Sequence, residues 1–357
     1  MNIRPDVQAL AAYHFRAQPY RVKLDQNESP YDFPPELKAL VAEKLLELPF
    51  NRYPEMHGES LKAALAAYHD WPAAGIVVSA GSNVLIQALT IACGLGQTVL
   101  TVSPTFSVYA MQAQILDAKL VEVPLLEDFA LPLEPLLQQL RQGRGVCFLA
   151  NPAAPTGNLF PEAELITLIE SAAEGWTLVL DEAYWQFSGQ DGSDLARRYP
   201  HVLSLRTFSK AFGLGGIRLG YALCQPALAE QLQKVLLPFS ISALQLAIAV
   251  IALEHPDYSQ HYISSVASER QRIYQALQAL EGVSVYPSAT NFLLFRVPDA
   301  AAFYQGLLQQ GVLIRRQDHL PGLHGCLRVS VGTPEENQAF IDAAQQVHAQ
   351  TMAELSQ

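Results

Sequence analysis

The stretch GVCFLANPAAPTGNLFPEAELITLIESAAEGWTLVLDEAY, residues 145–184, contains two apolar runs separated by a segment of helical length. The runs are GVCFLANP at 145–152 and WTLVLDEAY at 176–184. Both are apolar almost throughout rather than alternating with polar residues, which is typical of strands whose two faces are covered. Parallel strands need a long crossover connection, usually a helix. The stretch therefore predicts a strand–helix–strand unit of a parallel sheet.

The same rhythm continues on both sides of this unit, from residue 75 to residue 225. Five further runs have the same character: GIVVSAG, QTVLTVSP, AKLVEVPL, VLSLRTFSK and RLGYALC. Together they predict an α/β fold. Its large domain should contain a mostly parallel seven-stranded sheet that is covered by helices on both faces, with strands that are apolar throughout.

A different pattern begins at Pro256. A long helical stretch with a polar face is followed by the run SVYPSATNFLLFRV, a helix near 299–310, the runs GVLIRR and GCLRVSVG, and a terminal helix. This order predicts a smaller α+β C-terminal domain. We expect an N-terminal arm at 1–35 that packs across the domain junction, a large domain at 36–250 and a small domain at 251–357.

The composition narrows the class of protein. Half of the 357 residues are hydrophobic, and the net charge of −11 comes with acidic and basic residues that are mixed along the chain. This favours small-molecule partners over nucleic acid or a membrane surface. The four cysteines lie far apart without a CxxC pair, which argues against a zinc site or a disulfide framework. The N-terminal residues lack the apolar segment of a secretory signal, and the run ISALQLAIAVIAL is too short to span a bilayer. We expect a cytoplasmic protein without a bound metal.

Polar side chains follow three of the predicted strands, and ligands of open parallel sheets bind beyond such strand ends. SAGSN opens a helix near Ser82, whose free backbone N–H groups and dipole would attract an anion such as phosphate. LVLDEAY ends a strand with Asp181. RTFSKAFGLGGIR follows another strand and supplies Thr207, Ser209, Lys210 and Arg218.

Lys210 lies between hydroxyl residues and a glycine-rich apolar stretch. An amine held there would be partly desolvated, which lowers its pKa and makes it a nucleophile towards aldehydes. Nucleotide binding finds no support, because the chain has no GxxxxGK[ST] loop and GLGG at 213–216 lacks the GxGxxG spacing.

Pyridoxal 5′-phosphate is a single ligand that the polar groups at all three strand ends could bind. Its aldehyde would form a Schiff base with Lys210, and its phosphate would occupy the helix start at Ser82. Asp181 would keep the pyridine nitrogen protonated, so that the ring can accept electrons. The hydroxyls of Thr207 and Ser209 and the guanidinium of Arg218 would complete the phosphate site. The glycines would let the backbone come close to the cofactor.

Seven motifs carry a resemblance to a known family: NESPY, RYP, SPTF, PTG, DEAY, SKAFGLGGIRLGY and LRVSVGTPEEN, in this order along the chain. With them the chain resembles the fold-type I aminotransferases over nearly its whole length, and most closely the histidinol-phosphate aminotransferases. The resemblance implies interconversion of L-histidinol phosphate and 2-oxoglutarate with imidazole acetol phosphate and glutamate, a step of histidine biosynthesis. It also implies a homodimer as the active unit.

The resemblance assigns roles to individual residues. Phe106 would stack on the cofactor ring, Tyr184 would hydrogen-bond its phenolic oxygen, and Tyr53 would reach the phosphate of the neighbouring subunit's cofactor. Three further residues would bind substrate: Arg328 an anionic end, Arg315 the substrate phosphate, and Tyr20 a position near the same phosphate.

Two positions depart from the family's pattern. The family places an asparagine that contacts the ring oxygen immediately before PTG, where this chain has Ala154. Tyr184 alone, Asn151 or a water could make that contact instead. The family also often has Asp-Glu after the GS of the phosphate loop, where this chain has Asn83 and Val84. Because backbone amides bind the phosphate, Asn83 stays within the predicted phosphate site.

Three other functions stay open on these observations. An aromatic amino-acid aminotransferase would use Arg328 for a carboxylate and leave Arg315 without a phosphate. A decarboxylase of a phosphorylated amino acid would share the same scaffold. A non-catalytic regulatory module that binds the cofactor is disfavoured, because Lys210, Asp181 and Arg218 are intact.

Overall fold

The computed structural model describes residues 2–10 and 18–355 of the chain. The helices are α1 (Pro5–Ala9), α2 (Pro35–Glu47), α3 (Glu59–His69), α4 (Ser82–Leu89), α5 (Val108–Ile115), α6 (Leu133–Leu140), α7 (Glu162–Ser171), α8 (Trp185–Ser188), α9 (Ser193–Arg198), α10 (Pro226–Gln233), α11 (Ala243–Glu254), α12 (Gln260–Gln278), α13 (Ala300–Gln309) and α14 (Pro334–Leu355). The strands are β1 (Val22–Lys23), β2 (Ile76–Ser79), β3 (Thr98–Ser103), β4 (Lys119–Pro124), β5 (Gly145–Ala150), β6 (Trp176–Asp181), β7 (Val202–Thr207), β8 (Gly220–Leu223), β9 (Ser284–Val285), β10 (Phe292–Arg296), β11 (Val312–Leu313), β12 (Arg315–Arg316) and β13 (Cys326–Ser330).

Strands β2 to β8 form one seven-stranded sheet in the order β2-β8-β7-β6-β5-β3-β4. Strands β3 to β7 pair in parallel, whereas β8 is antiparallel to both β2 and β7. The mostly parallel seven-stranded sheet is therefore confirmed. One expectation is wrong, because β4 is not apolar throughout and exposes Lys119 and Glu122. As the edge strand it lacks a neighbour on one side, and charged residues protect such an edge from pairing with another chain.

Two apolar layers cover this sheet. Neighbouring residues of a strand point to opposite faces. In β5, Val146 and Phe148 belong to one buried cluster, whereas Cys147 and Leu149 belong to another. Burial on both faces explains why the strands are continuous apolar runs in the sequence.

The C-terminal part contains a four-stranded antiparallel sheet in the order β12-β13-β10-β9. A separate buried cluster, which includes Phe292, Phe295 and Phe340, joins this sheet to the helices of the same region. The N-terminal strand β1 pairs with β11, with Val22 opposite Val312. The α+β character of this region agrees with the sequence, and the exact domain boundaries stay a prediction.

The carboxyl ends of three central strands lie side by side. Ala150 at the end of β5 pairs with Asp181, and Asp181 pairs with Leu205 of β7. The loops that follow these strands therefore open at one edge of the sheet, where the sequence places its polar residues. Within residues 2–10 and 18–355, no helix is both long and apolar enough to cross a membrane.

Candidate active site

Two adjoining cavities lie at this edge. The inner cavity has a volume of about 180 Å³ and the outer cavity a volume of about 460 Å³. The predicted residues that line the inner cavity are Ser82, Asn83, Phe106, Asp181, Tyr184, Thr207, Ser209, Lys210 and Arg218. Arg315 and Arg328 line the outer cavity, which shares Lys210 and Tyr184 with the inner one. The fold thus brings eleven of the predicted residues around one site.

An anion cradle forms one end of the inner cavity. Helix α4 begins at Ser82, directly after Gly81, whose φ of +97° favours glycine. A Cβ atom at Gly220 would lie 2.2 Å from the Ser82 nitrogen, so only glycine lets β8 approach the helix start this closely. The Arg218 Nη1 lies 3.3 Å from the Ser209 Oγ, on the same side. Free N–H groups, a hydroxyl and a guanidinium therefore converge, as a phosphate requires.

Lys210 is half-buried in the loop after β7. Its Nζ donates a hydrogen bond to the Gln26 backbone oxygen at 3.0 Å and lies 5.7 Å from the centre of the Tyr184 ring. The loop is shaped by Thr207, whose Oγ1 accepts a hydrogen bond from the Ser209 N–H at 3.0 Å. The amine is thus held between an aromatic ring and a carbonyl, facing both cavities.

Asp181 is only 5% exposed. Its Oδ2 accepts a hydrogen bond from the Tyr109 hydroxyl at 2.7 Å, and its Oδ1 accepts one from the Ala183 N–H at 3.2 Å. Burial raises the pKa of Asp181 to about 6, although both hydrogen bonds act in the opposite direction. A cation beside this carboxylate would offset the burial, so a protonated pyridine nitrogen fits the inner cavity at this point.

The outer cavity carries two neighbouring cations. Arg315 of β12 is paired directly with Arg328 of β13. Both side chains line the outer cavity, so an anion bound there would face two guanidinium groups. The Arg328 Nη2 also donates to the Asp25 backbone oxygen at 2.9 Å, which orients the side chain.

Two predicted residues lie outside the lining of both cavities. Tyr20 precedes β1 and is 54% exposed, and Tyr53 is 82% exposed on the surface. The Tyr53 ring instead packs at a tilt against Phe239, with 5.0 Å between ring centres. A role for either residue within its own subunit's cavity finds no support in this geometry.

Comparisons with known proteins identify the family of the chain. The family of class I and II aminotransferases matches residues 20–343. The chain belongs to this family. It is similar to the histidinol-phosphate aminotransferase of Deinococcus radiodurans, with 50% identity over 96% of this chain and 95% of the relative. It is also similar to histidinol-phosphate aminotransferase 1 of Ralstonia nicotianae, with 40% identity over 96% of this chain and 93% of the relative.

A crystal structure of histidinol-phosphate aminotransferase from Sinorhizobium meliloti in complex with pyridoxal-5′-phosphate has a similar fold. It aligns with this aminotransferase at a TM-score of 0.87 and 27% identity, over 98% of each chain. The resemblance found in the sequence motifs is confirmed.

The structure of this aminotransferase also reveals contacts that the sequence analysis did not predict. Tyr109, which donates a hydrogen bond to Asp181, lies three residues after Phe106 of the SPTF motif, and its closeness to this motif was the one signal in the sequence. Asn27 contacts Tyr184 across a long sequence separation, and no local pattern indicates such a contact. Asn151, a candidate for the missing asparagine contact, instead accepts a hydrogen bond from the Phe160 N–H at 2.8 Å and lines neither cavity.

Proposed function

We propose that this aminotransferase uses pyridoxal 5′-phosphate to interconvert L-histidinol phosphate and 2-oxoglutarate with imidazole acetol phosphate and glutamate. The observation that carries the proposal is the pair of adjoining cavities. One combines a lysine amine, a buried carboxylate and an anion cradle, and the other places two arginines side by side. The named relatives support the same assignment, since they are histidinol-phosphate aminotransferases at up to 50% identity.

The inner cavity supplies the residues that would hold the cofactor. The helix start at Ser82, with Ser209 and Arg218, would bind its phosphate, Phe106 would cover the ring, and Asp181 would pair with the ring nitrogen. When bound, pyridoxal 5′-phosphate carries the amino group between substrates and accepts electrons from the reacting carbon.

Lys210 is the residue we assign to proton transfer. Its Nζ lies where the inner and outer cavities meet, so it can take a proton from the substrate Cα and return it on the cofactor side. The Gln26 carbonyl and the Tyr184 ring limit where the amine can move. Orientation of this kind contributes to rate because the reacting groups need not search for each other.

The outer cavity would bind the anionic end of both substrates. Arg328 would serve the phosphate of histidinol phosphate and a carboxylate of glutamate in alternate half-reactions. Arg315 would bind the substrate phosphate, because a guanidinium fork suits a dianion with several oxygens. The role of Tyr20 near this phosphate remains a prediction from the resemblance alone.

Single-turnover kinetics of Arg315→Ala and Arg328→Ala test this function. A charge-assisted hydrogen bond contributes about 1.5–3 kcal/mol, so Arg315→Ala should lose roughly ten- to a hundred-fold in kcat/KM with histidinol phosphate. With glutamate the loss should be much smaller, whereas Arg328→Ala should slow both donors.

Arg316→Ala is the matched control. Its guanidinium binds Asp318, with 2.9 Å between Nε and Oδ1, and does not line the outer cavity. We expect it to react with both donors as the unmodified enzyme does. Equal losses for both donors in Arg315→Ala would remove the phosphate from the proposal.

We further propose a homodimer. Tyr53, Met56 and Phe239 form an exposed apolar cluster, in which the Phe239 N–H donates to the Met56 oxygen at 3.1 Å. Phe50 and Leu237, close to these residues in sequence, are about four-fifths exposed. A second copy would cover this cluster and bring Tyr53 to its phosphate cradle. As a biosynthetic enzyme it would act in the cytoplasm.

A further inference from the structure

We propose that Asn27 is a positioning residue that directs the hydroxyl hydrogen of Tyr184 into the inner cavity, towards the ring oxygen of the cofactor. The inference rests on the proposed function, because it requires the cofactor in that cavity. Ala154, which takes the place of the family's asparagine, lines both cavities and has no polar side chain to offer the ring oxygen. The inference concerns how Tyr184 would make this contact instead.

The backbone of Asn27 is firmly anchored. The residue is 1% exposed and has a φ of +54°, a conformation that asparagine tolerates better than most residues. Its N–H donates to the Ser330 Oγ at 2.8 Å, and its carbonyl oxygen accepts from the Asn291 Nδ2 at 3.1 Å. The side chain therefore starts from a fixed position.

The hydrogen bonds set the orientation of the Asn27 amide. Because the Ser330 hydroxyl accepts from the Asn27 N–H, its own hydrogen is available for the Asn27 Oδ1 at 3.1 Å. The Asn27 Nδ2 then faces the Tyr184 Oη at 3.0 Å. The reverse orientation would deprive the Ser330 hydrogen of the Oδ1 acceptor.

Because Asn27 donates in its hydrogen bond with Tyr184, the hydroxyl hydrogen of Tyr184 must point to another acceptor. A tyrosine hydroxyl has one hydrogen, and a donor on its oxygen leaves that hydrogen to point elsewhere. Tyr184 is 8% exposed, its ring packs edge-on against Phe292, and it borders the inner cavity. The cavity is therefore the direction into which Tyr184 donates.

The two residues before Asn27 contact the same site. The Asp25 oxygen accepts from Arg328 at 2.9 Å, and the Gln26 oxygen accepts from Lys210 at 3.0 Å. Three consecutive residues thus hold an arginine, the lysine and the tyrosine of the site. Asp25 and Gln26 make these contacts through their backbone oxygens, whereas Asn27 uses its side-chain amide.

The test is a pH titration of the visible absorbance of the bound cofactor. A donor to the ring oxygen competes for the proton that this oxygen shares with the Lys210 nitrogen, so a weaker donor raises the pH of the absorbance change. Because a neutral hydrogen bond contributes about one kilocalorie per mole, Asn27→Ala should raise that pH by about half a unit to one unit. Tyr184→Phe should raise it at least as much. In the Tyr184→Phe background, Asn27→Ala should add no further shift.

Asn337→Ala is the control, because Asn337 is fully buried but binds Gly332 and Glu269 away from both cavities. It should lower stability without moving the titration. Lys210, Asp181 and Arg218, the charged residues of the inner cavity, are unchanged in every variant. If Asn27→Ala does not fold, Ser330→Ala, which frees the amide to turn, should give a smaller shift in the same direction.

Two results would overturn the positioning role: an unmoved titration in Asn27→Ala, or an equal shift in the Tyr184→Phe background. Failure of the unmodified protein to develop visible absorbance with pyridoxal 5′-phosphate would instead contradict the proposed function. The two failures are therefore distinguishable.

Discussion

Burial favours the neutral form of Asp181, whereas its proposed role requires the ionised carboxylate that pairs with the ring nitrogen of the cofactor. In the folded protein its pKa of about 6 lies above the value of about 3.8 for an exposed aspartate. The folded state therefore binds more protons than the unfolded state between these values, and stability is lost as the pH rises from about 4 to about 6. Above pH 6 the cofactor-free protein retains a buried negative charge at its active site.

We predict that Asp181→Asn stabilises the cofactor-free protein at pH 8 by about 1–3 kcal/mol, because an amide does not ionise. The gain should shrink as the pH falls through about 6 to 4 and disappear below about pH 3, where Asp181 is protonated in both states. Denaturant unfolding of the two proteins at a series of pH values measures this difference. The same variant should lose most turnover, since a neutral side chain pairs poorly with a protonated ring nitrogen. A constant stability difference across the pH range would show that Asp181 is not the group that titrates.

The strands that carry the site are joined by a buried ion pair between Arg206 and Glu182, and Arg206 also contacts the half-exposed Asp191. Arg206 of β7 is fully inaccessible, and its Nη2 lies 2.9 Å from the Oε2 of Glu182, the residue after Asp181. The guanidinium also lies over Trp185, 4.3 Å from the ring centre. Burial, with a contribution from Arg206, lowers the pKa of the adjacent His69 to about 3, so this ring stays neutral.

Removing one partner of a buried pair leaves the other charge without compensation, which costs about 3–5 kcal/mol. We predict a loss of this size for Arg206→Met. The double variant Arg206→Met/Glu182→Leu should recover a large part of it, because two apolar side chains can replace a buried pair. Urea unfolding of the single and double variants measures the recovery. A double variant less stable than Arg206→Met would contradict this account of the β6–β7 connection.

The sequence predicts elements better than contacts between them. Apolar runs identified all seven strands of the large sheet, most clearly the strands whose burial on both faces leaves a continuous local pattern and least clearly the edge strand β4. Strand ends then predicted the inner cavity, since parallel strands finish at one edge. The edge position of β4 was missed, because strand order depends on long-range pairing. The contacts of Asn27 were missed for the same reason, as Ser330 and Tyr184 are distant in sequence.

Tyr53 is exposed in the single chain, and the proposed homodimer would bring it to the active site of the other subunit. Each active site of the whole molecule would then combine residues of both subunits. We expect a mixture of two inactive variants, Lys210→Ala and Tyr53→Ala, to regain activity after joint refolding. In a mixed dimer, one site combines an intact Lys210 with an intact Tyr53 from the partner. With random association the mixture should reach about a quarter of the unmodified activity. Tyr53 acting within its own subunit predicts no recovery, and neither variant refolded alone should gain activity.

The arginines of the outer cavity predict that this enzyme reacts with histidinol phosphate in preference to aromatic amino acids. Stopped-flow absorbance of the unmodified enzyme with pyridoxal 5′-phosphate tests it most directly, by comparing the half-reaction with histidinol phosphate, phenylalanine, tyrosine and glutamate. A phosphate held by Arg315 and Arg328 predicts the highest kcat/KM for histidinol phosphate, by roughly ten-fold or more over either aromatic amino acid, because each charge-assisted contact contributes at least that factor. Faster conversion with phenylalanine or tyrosine would contradict the claim and assign the protein to the aromatic aminotransferases.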